Sequence, residues 1–595
     1  MTPPTRPDAA SWLEQLLRSQ TEMMQGFLGA AASAMPWVPP TRAGGVAGSP
    51  ESVESTPGAA LPVAWQQMTR QIAGLQQEYF RQVSSWWTPA VTGMAGQADP
   101  HADQAQKDRR FSSEPWRNDP RFEVVTQSYL NYSKMLNDAI ESSPLDEKTR
   151  SQWQFATRQL LDALSPANFL ATNPEAQQAV IDSGGQSLVQ GMTLFTQDLL
   201  KGRITMTDEG AFEVGRNLAT TPGDVIFENE LMQVIRYTPP GHETRAVPLL
   251  IVPPCINRFY ILDLQPANSF VGYALERGQA VYLVSWRSAT LEMSQLTWDD
   301  YIEDGVGRAI DTCLADSGGR QLNALGFCIG GTLLACRAAM ERQRGDERIT
   351  SLTLLTTMLD FADTGELGLL VNDQSVGHKE ALIGRSGIMR GAELSLTFSS
   401  LRANDLIWPY IVEGYLKGKA PPAFDLLYWN SDVTNLPGPM YCWYVRNTYL
   451  ENKLRVPHAA MQCGEPLDLS ALDMPVFIYA SRDDHIVPWR TAYATAPLVR
   501  GESTFVLGAS GHVAGVINPP QKKRRHHWIG GDPRDQNPDR WLEDATQVEG
   551  SWWPAWADWL DKYSGGTGDG RCRPTRGKMP SIEPAPGRYV REKAQ

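Results

Sequence analysis

The stretch LNALGFCIGGTLLACRAAMER, residues 322–342, passes from an apolar strand pattern directly into a helical pattern. At its centre, GFCIG places Cys328 between Gly326 and Gly330. This spacing matches the G-x-S-x-G turn that presents a nucleophile between a strand and a helix, with a thiol in place of the hydroxyl. The two glycines permit the tight turn because they have no Cβ. The sequence predicts that Cys328 is a nucleophile, although a cysteine in apolar surroundings can also be a small core residue.

Strand and helix patterns alternate on both sides of this turn. Short apolar runs predict strands, and apolar residues spaced by three and four predict helices. The predicted strands are 224–229, 231–237, 247–254, 280–286, 322–327 and 351–360, and the predicted helices are 268–278, 298–316 and 330–345. This alternation is typical of an α/β protein whose parallel sheet carries helices on both faces.

The alternation stops after residue 360 and resumes with the strand pattern MPVFIYAS at 474–481. The intervening segment, about 361–473, is aromatic and proline-rich and shows no clear strand alternation. We expect it to form a cap over the sheet. The sequence thus predicts a catalytic domain over 211–595 that contains this cap insertion.

The region before the sheet has a helical character. Apolar residues recur at three and four positions through 119–210, which predicts a helical N-terminal domain. Residues 1–118 are predicted to be a variable, partly disordered segment. It contains amphipathic stretches at 11–35 and 64–87, which could lie on a hydrophobic surface or pack on the helical domain.

Composition excludes several classes of function. The formal net charge of −13 over 595 residues argues against a nucleic-acid partner, because phosphate binding needs a positive surface. The seven cysteines show no CxxC pair, so we expect neither disulfides nor a metal site, and free thiols fit a reducing cytoplasm. We read no secretory signal, and no run of about 18 apolar residues predicts a membrane-spanning helix.

Two further polar residues follow predicted strands, where ligands meet a doubly wound sheet. Asp484 follows VFIYASRD, and His512 follows STFVLGASG. The order Cys328, Asp484, His512 is the nucleophile–acid–histidine order of α/β-hydrolases. Asp483 is a rival for the acid, and either acid could be only a turn residue, as His512 could be only a structural histidine.

Four neighbouring residues are assigned supporting positions. The backbone at Ile329 and Cys255 is expected to cradle an oxyanion, and Asn257 to line the mouth of the site. We expect His485, beside the predicted acid, to contact that acid without contacting the substrate. The basic run KKRRHH at 522–527 is either a solvated loop or a contact for a phosphate-bearing leaving group.

Sulfur at the elbow favours acyl transfer over simple hydrolysis. A thiolate is a strong nucleophile near neutral pH, and the helix N-terminus and His512 would both favour it. Attack on a thioester yields another thioester, so the acyl group stays activated for a second transfer. A cap that excludes water would let the next acceptor compete with hydrolysis.

The sequence closely resembles the polyhydroxyalkanoate synthases, and among them the long single-subunit type called class I. The resemblance covers the chain from about residue 120 to the end, and nothing in residues 1–115 matches. The matching stretches include SPANFLATNPEA (165–176), FEVGRNLATTPG (212–223), PPCINRFYILDLQP (253–266), GFCIGGT (326–332), FDLLYWNSDVTNLPGPMYCWY (424–444), SRDDHIVPW (481–489) and GASGHVAGVINPP (508–520).

The resemblance implies an α/β-hydrolase fold with a cap insertion, preceded by a mostly helical N-terminal domain. It implies polymerisation of (R)-3-hydroxyacyl-CoA, with short units such as 3-hydroxybutyryl, and release of coenzyme A as a leaving group without a cofactor. Cys328 would carry the chain as a thioester, His512 would act as base, and Asp484 would orient it or activate a 3-hydroxyl. Trp429 is associated with dimer contact or packing in the cap.

The resemblance also implies partners and a location. These are a homodimer in the cytoplasm, attached to polyester granules and possibly to the granule proteins called phasins. Two other functions stay open on the residues alone, namely a thioesterase or polyester hydrolase on the same scaffold and a non-catalytic granule-binding protein.

Overall fold

The computed structural model describes residues 108–239, 244–534, 537–565 and 577–594. The chain divides into two compact units, and residues 108–205 and Arg402–Pro421 belong to the first. The second contains the described residues of Met206–Leu401 and of the chain from Pro422 onward. The predicted domain bounds 1–118, 119–210 and 211–595 stay a prediction, and the amphipathic stretches at 11–35 and 64–87 lie outside the described residues.

The first unit is helical. Asp119 and Asp146 begin its two longest helices by accepting hydrogen bonds from the backbone N–H groups of Arg121 and Thr149, which would otherwise lack a partner. Its α-helices are α1 (Glu114–Asn118), α2 (Pro120–Glu141), α3 (Glu147–Ala163), α4 (Pro174–Asp182), α5 (Gln186–Lys201), α13 (Ala403–Leu406) and α14 (Trp408–Tyr410), and a π-helix follows at Ile411–Leu416.

The second unit is built on an eleven-stranded sheet with the order β14-β13-β12-β11-β6-β5-β3-β4-β2-β1-β15. The six strands from β4 to β12 in this order are mutually parallel, and the strands at both edges are antiparallel. The strands of the sheet are β1 (Asp224–Glu228), β2 (Met232–Tyr237), β3 (Leu249–Val252), β4 (Val281–Trp286), β5 (Leu322–Phe327), β6 (Ile349–Leu355), β11 (Val476–Ser481), β12 (Ser503–Gly508), β13 (His526–Ile529), β14 (Thr546–Glu549) and β15 (Glu583–Pro584).

Four two-residue strands form two small two-stranded sheets outside this sheet, in which β7 pairs with β8 and β9 with β10. They are β7 (Ile388–Met389), β8 (Leu436–Pro437), β9 (Met461–Gln462) and β10 (Glu465–Pro466). The α-helices of the second unit are α6 (Phe270–Glu276), α7 (Trp298–Asp300), α8 (Arg308–Ser317), α9 (Ile329–Gln343), α10 (Gly365–Leu369), α11 (Asp373–Ile383), α12 (Gly391–Leu401), α15 (Asp425–Ser431), α16 (Gly438–Val445), α17 (Trp489–Tyr493), α18 (His512–Val516), α19 (Pro538–Asp544) and α20 (Trp553–Asp561).

Both faces of the sheet are buried. Along β3, Leu250 and Val252 pack in one hydrophobic cluster, whereas Leu249 and Ile251 pack in the other. Successive strand residues point to opposite faces, so two clusters require a layer on each side. This is why the strands read as continuous apolar runs in the sequence, and it confirms the predicted α/β fold class.

Two predicted elements differ from the structure. The helix predicted over 298–316 is interrupted by a π-helix at Tyr301–Gly307. There the ring of Trp286 packs so closely that a Cβ on Gly305 would lie 2.8 Å from it. The strand predicted to reach residue 360 ends at Leu355, because Thr356 adopts a φ of 39° and leaves the sheet.

The C-terminal segment supplies the last strand at one edge of the sheet. β15 pairs with β1 through Asp224 and Pro584. Beyond it, the Tyr589 carbonyl accepts a hydrogen bond of 3.2 Å from the buried Arg258 guanidinium, which belongs to the loop after β3. The end of the chain is therefore part of the core that supports this loop.

We predict that Gly330→Ala destabilises the second unit. An added Cβ would lie 2.3 Å from the Pro253 carbonyl oxygen and 2.4 Å from that of Val252, and these backbone atoms cannot yield cheaply. Overpacking of this kind costs about 1–3 kcal/mol or more, measured as the free energy of unfolding in urea. Gly377→Ala is the matched control, because nothing lies within 4 Å of its added Cβ in the interior of α11. Equal stability of the two variants would contradict this packing argument.

Candidate active site

Cys328 lies at the turn between β5 and α9 with φ of 54° and ψ of −131°. A residue with a side chain rarely adopts this conformation, and holding it costs on the order of 1–3 kcal/mol. The turn is fixed by hydrogen bonds from the Gly331 and Thr332 N–H groups to the Cys328 carbonyl, at 2.8 and 3.2 Å. The thiol is partly exposed at the N-terminus of a buried helix, so the turn has the sharp strand-to-helix geometry that a nucleophile elbow requires.

Asp484 and His512 form a buried pair beside this turn. Asp484 Oδ2 lies 2.7 Å from His512 Nδ1, and the Asp484 side chain is fully buried. The other oxygen, Oδ1, accepts hydrogen bonds from the N–H groups of Ile486 and Val487 at 2.8 and 2.9 Å. Because the carboxylate binds Nδ1–H, Nε2 is left for the thiol. The exposed side chain of Asp483 lies outside this pair, which favours Asp484 as the acid.

The charges around His512 stabilise its protonated form. Burial of the ring lowers the pKa, but the carboxylate of Asp484 and the sulfur of Cys328 outweigh it and raise the pKa of His512 to about 10. The ring of Phe327 stacks on the imidazole at 5.7 Å. The histidine is therefore held between the acid and the thiol, in the geometry needed to move a proton to or from sulfur.

The predicted oxyanion residues are only partly brought together. Ile329 is buried and opens α9, and its N–H donates to no backbone carbonyl of the described residues. Cys255 is buried after β3, and burial followed by the charge of Cys328 raises the pKa of its thiol. Asn257 instead forms a β-bridge with Val433 and lines a small cavity of the cap. No contact places Asn257 beside Cys328.

Trp429 belongs to the packing that holds the cap. It is 5% exposed, and its indole N–H donates to the Arg258 carbonyl at 2.7 Å. Arg258 and Asp432 form a buried ion pair of 3.7 Å, and Tyr260 donates to the same carboxylate at 3.0 Å. This network ties the loop after β3 to the segment after α15. The role of Trp429 in a dimer remains a prediction. His485, which directly follows Asp484 in the chain, is partly buried, and its supporting role also remains a prediction.

Sequence reasoning missed two tyrosines of the cap. Burial and then Cys328 raise the pKa of the Tyr449 hydroxyl, with a smaller contribution from Asp484. Burial, Tyr449 and Cys328 raise the pKa of Tyr444, whose ring stacks on Trp298 at 5.4 Å. The sulfur of Cys328 therefore acts electrostatically on both hydroxyl groups. Their only signal in the sequence is the aromatic density of the insertion, which does not distinguish them from core residues.

Comparison with known proteins identifies the family. A family model described as the poly-beta-hydroxybutyrate polymerase N-terminus matches residues 107–274, and a model of the α/β-hydrolase fold matches 248–519. A poly(3-hydroxyalkanoate) polymerase subunit of Cupriavidus necator is 48% identical over 529 residues, which cover 88% of this chain and 89% of that protein. The chain belongs to the poly(3-hydroxyalkanoate) polymerases.

Two further polymerases of this family match most of the chain. The subunit of Rhizobium meliloti is 38% identical and covers 95% of this chain and 93% of its own length. The polymerase of Methylorubrum extorquens is 39% identical over 85% of each protein. These findings confirm the resemblance inferred from the sequence, and the hydrolase match confirms the α/β-hydrolase fold preceded by a helical region.

Among the described residues, no group of three or more His, Cys, Asp or Glu side chains is arranged to hold a metal ion. In the same part of the chain, no helix has the length and apolar character needed to cross a membrane.

We predict that the His512–Asp484 pair stabilises the protein in a pH-dependent way. A raised pKa adds stability that is complete below the unfolded value of about 6.5 and is lost as the pH rises through about 10. Asp484→Asn should therefore lower the free energy of unfolding by about 3 kcal/mol just below about pH 6.5, and by less above about pH 10.

Denaturant titrations at both pH values measure this difference. Asp483→Asn serves as the matched control, because the exposed Asp483 side chain is no part of the pair. A difference between wild type and Asp484→Asn that stays constant across the range would show that the carboxylate does not hold the proton on His512.

Proposed function

We propose that this chain polymerises (R)-3-hydroxyacyl-CoA into a polyester with release of coenzyme A, and that 3-hydroxybutyryl-CoA is its preferred substrate. Membership of the poly(3-hydroxyalkanoate) polymerase family supports the reaction. The observation that carries the mechanism is the strained Cys328 elbow beside the buried His512–Asp484 pair. A nucleophile, a base and an orienting acid within reach of each other are the parts that covalent acyl transfer needs.

The first step loads the enzyme. His512 takes the proton of the Cys328 thiol, and the sulfur attacks the thioester carbon of the substrate. The Ile329 N–H at the start of α9 is positioned to donate to the oxygen that becomes negative. As this intermediate collapses, the bond to the sulfur of coenzyme A breaks, that sulfur takes the proton from His512, and the acyl group remains on Cys328 as a thioester.

The second step lengthens the chain. The 3-hydroxyl of an incoming substrate gives its proton to His512 and attacks the Cys328 thioester, which forms an ester and returns the proton to the departing Cys328 sulfur. Cys328 then takes up the lengthened chain from its coenzyme A thioester as in the first step. Each cycle makes one ester bond and releases one coenzyme A, so the reaction balances without a cofactor.

Water is the competitor in the second step. Tyr444 is buried in the cap, Tyr449 is partly buried there, and Cys328 itself is only partly exposed. An apolar, closed pocket disfavours water relative to a hydroxyacyl acceptor held in place. The same residues in an open pocket would make a thioesterase, so the acyl product is the observation that separates the two functions.

We predict that Cys328→Ala lowers coenzyme A release from (R)-3-hydroxybutyryl-CoA by at least about a thousandfold, because no covalent intermediate can form. Release of coenzyme A is measured together with the mass of the recovered acyl product. Cys336→Ala is the matched control, since Cys336 is a buried cysteine of the helix that follows Cys328.

High-mass polyester from wild type and Cys336→Ala, and none from Cys328→Ala, is the expected result. Monomeric 3-hydroxybutyrate as the sole wild-type product would assign the chain to hydrolysis. Undiminished release by Cys328→Ala would remove the covalent mechanism.

We also propose that the protein works at the surface of polyester granules in the cytoplasm, as a homodimer and alongside phasins. An apolar surface on the first unit supports attachment. Ile181, Val189, Leu199 and Leu200 of α4 and α5 are between 56% and 84% exposed. Burying such side chains in a polymer surface would contribute about 1.5–3 kcal/mol each.

We therefore predict that Leu199→Ser/Leu200→Ser weakens binding to amorphous poly(3-hydroxybutyrate) particles at least about a hundredfold in a sedimentation assay. Leu291→Ser/Leu382→Ser is the matched control, because it removes two leucines that are 81% and 61% exposed on the second unit. Equal binding by the two double variants would exclude the α5 surface as the attachment site.

A further inference from the structure

Five cations lie at the edge of the second unit that carries the active site. They are exposed and form what we call the basic rim, which consists of Arg482, Lys522, Lys523, Arg524 and Arg525. The mechanism above uses none of them, and the sequence left open whether the run 522–527 is only a solvated loop.

The sheet fixes the position of the rim. β13 is antiparallel to β12, so it begins at the edge where β12 ends, and Gly508 pairs with His527. The run of cations therefore enters β13 at the same edge that delivers His512. Arg525 also donates a hydrogen bond to the carbonyl of Ala514, which lies on the same short helix as His512.

Arg482 directly follows β11 and adds a fifth cation to the run. Its N–H donates to the Gly508 carbonyl at 2.8 Å, and its guanidinium lies over the Trp528 ring, 4.9 Å from the centroid. Arg482 is two residues before the catalytic acid of our mechanism. The rim therefore borders the active site on the side of the His512–Asp484 pair.

The cations at 522–525 differ from other cations of this chain in that no carboxylate of the described residues pairs with them. Elsewhere in this chain, Arg348 pairs with Asp311, Glu341 and Asp346 at 2.6 to 2.9 Å. In contrast, none of the four cations at 522–525 forms an ion pair with any residue that the structure describes.

Two acidic residues adjoin the rim, one in the chain and one in the sheet. Asp483 follows Arg482 in the chain, and Glu549 of β14 lies opposite His526. Four adjacent like charges repel each other, in a protein whose net charge is −13. Such a cluster is stabilised when an anion binds it.

We propose that the basic rim binds the phosphate groups of the coenzyme A part of the substrate. This inference rests on the proposed function, because it names a subsite for the same reaction. The thioester must reach Cys328, and the pantetheine arm separates the thioester from the phosphates, so the phosphates belong at the mouth of the site. Lysine and arginine suit them as a point charge and a planar hydrogen-bond donor, respectively.

The position also accounts for product release. Exposed cations bind phosphate weakly and reversibly because water and salt screen them. Coenzyme A must leave once per cycle, so a buried, tight phosphate site would slow turnover. The rim supplies attraction for the arriving substrate without trapping the leaving group.

The test uses the full chain with Lys522→Gln/Arg524→Gln. Two substrates are compared, (R)-3-hydroxybutyryl-CoA and (R)-3-hydroxybutyryl-pantetheine, which carries the same thioester without phosphates. We expect KM for the coenzyme A substrate to rise about fivefold at low salt, with kcat and the pantetheine reaction unchanged. The difference should shrink as sodium chloride is added, because salt screens exposed charges.

Arg320→Gln/Lys562→Gln is the matched control. It removes two exposed cations near the amino-terminal end of β5, at the opposite edge of the sheet from Cys328. This variant should behave as wild type with both substrates. An equal rise in KM for both substrates, or no change in either, would overturn the proposal.

Binding of adenosine 3′,5′-bisphosphate, measured by calorimetry, separates the two proposals. We expect the rim variant to bind it more weakly than wild type and than the control. If wild type made no polymer from either substrate, the proposed function would fail, while this binding difference would still report on the rim. Equal binding by all three proteins would overturn the rim, as would tighter binding of single-stranded RNA than of the bisphosphate.

Discussion

The site depends on one backbone constraint, the positive φ of Cys328. A side chain in this conformation points away from both the strand and the helix, so the thiol stands at the edge of the sheet. The conformation persists because its neighbours leave no alternative. The Cα of Gly331 packs against Gly326, the carbonyl groups of Val252 and Pro253 pack against Gly330, and hydrogen bonds hold the Cys328 carbonyl. The free energy stored in this turn is supplied by the packing of three elements around it.

The catalytic pair follows from the same sheet. Asp484 and His512 come from loops after β11 and β12, which are parallel neighbours, so their side chains meet at the edge where Cys328 stands. Much of this was predictable from the sequence, because a doubly wound sheet always gathers the carboxyl ends of its strands. The choice between Asp483 and Asp484 was not predictable, because both lie in the turn after β11 and only the structure shows that the Asp484 carboxylate is the buried one.

The rest of the site was not predictable from local patterns. Tyr444, Tyr449 and the Arg258–Asp432 pair come from the insertion and from a loop, and their positions depend on contacts between distant parts of the chain. An aromatic residue at helical spacing gives the same sequence pattern whether its side chain lines a pocket or fills a core. Asn257 follows a strand in the sequence and forms a β-bridge with Val433 in the structure, and its place at the mouth of the site stays a prediction. The π-helix at Tyr301–Gly307 likewise packs against Trp286, a contact between separate parts of the chain that no local rule contains.

The edge strand β15 pairs with β1, although the two strands are synthesised far apart in time. Arg258 and Tyr589, which its guanidinium binds, are 331 positions apart in the chain. A ribosome therefore exposes the loop after β3 long before the segment that stabilises it exists, and contacts of such high sequence separation form slowly. Until translation has passed that segment, β1 presents an unpaired edge, which is open to pairing with other nascent chains. The loop after β3 therefore gains its contact with Tyr589 only after synthesis has passed that residue, although Cys328 is encoded much earlier in the chain.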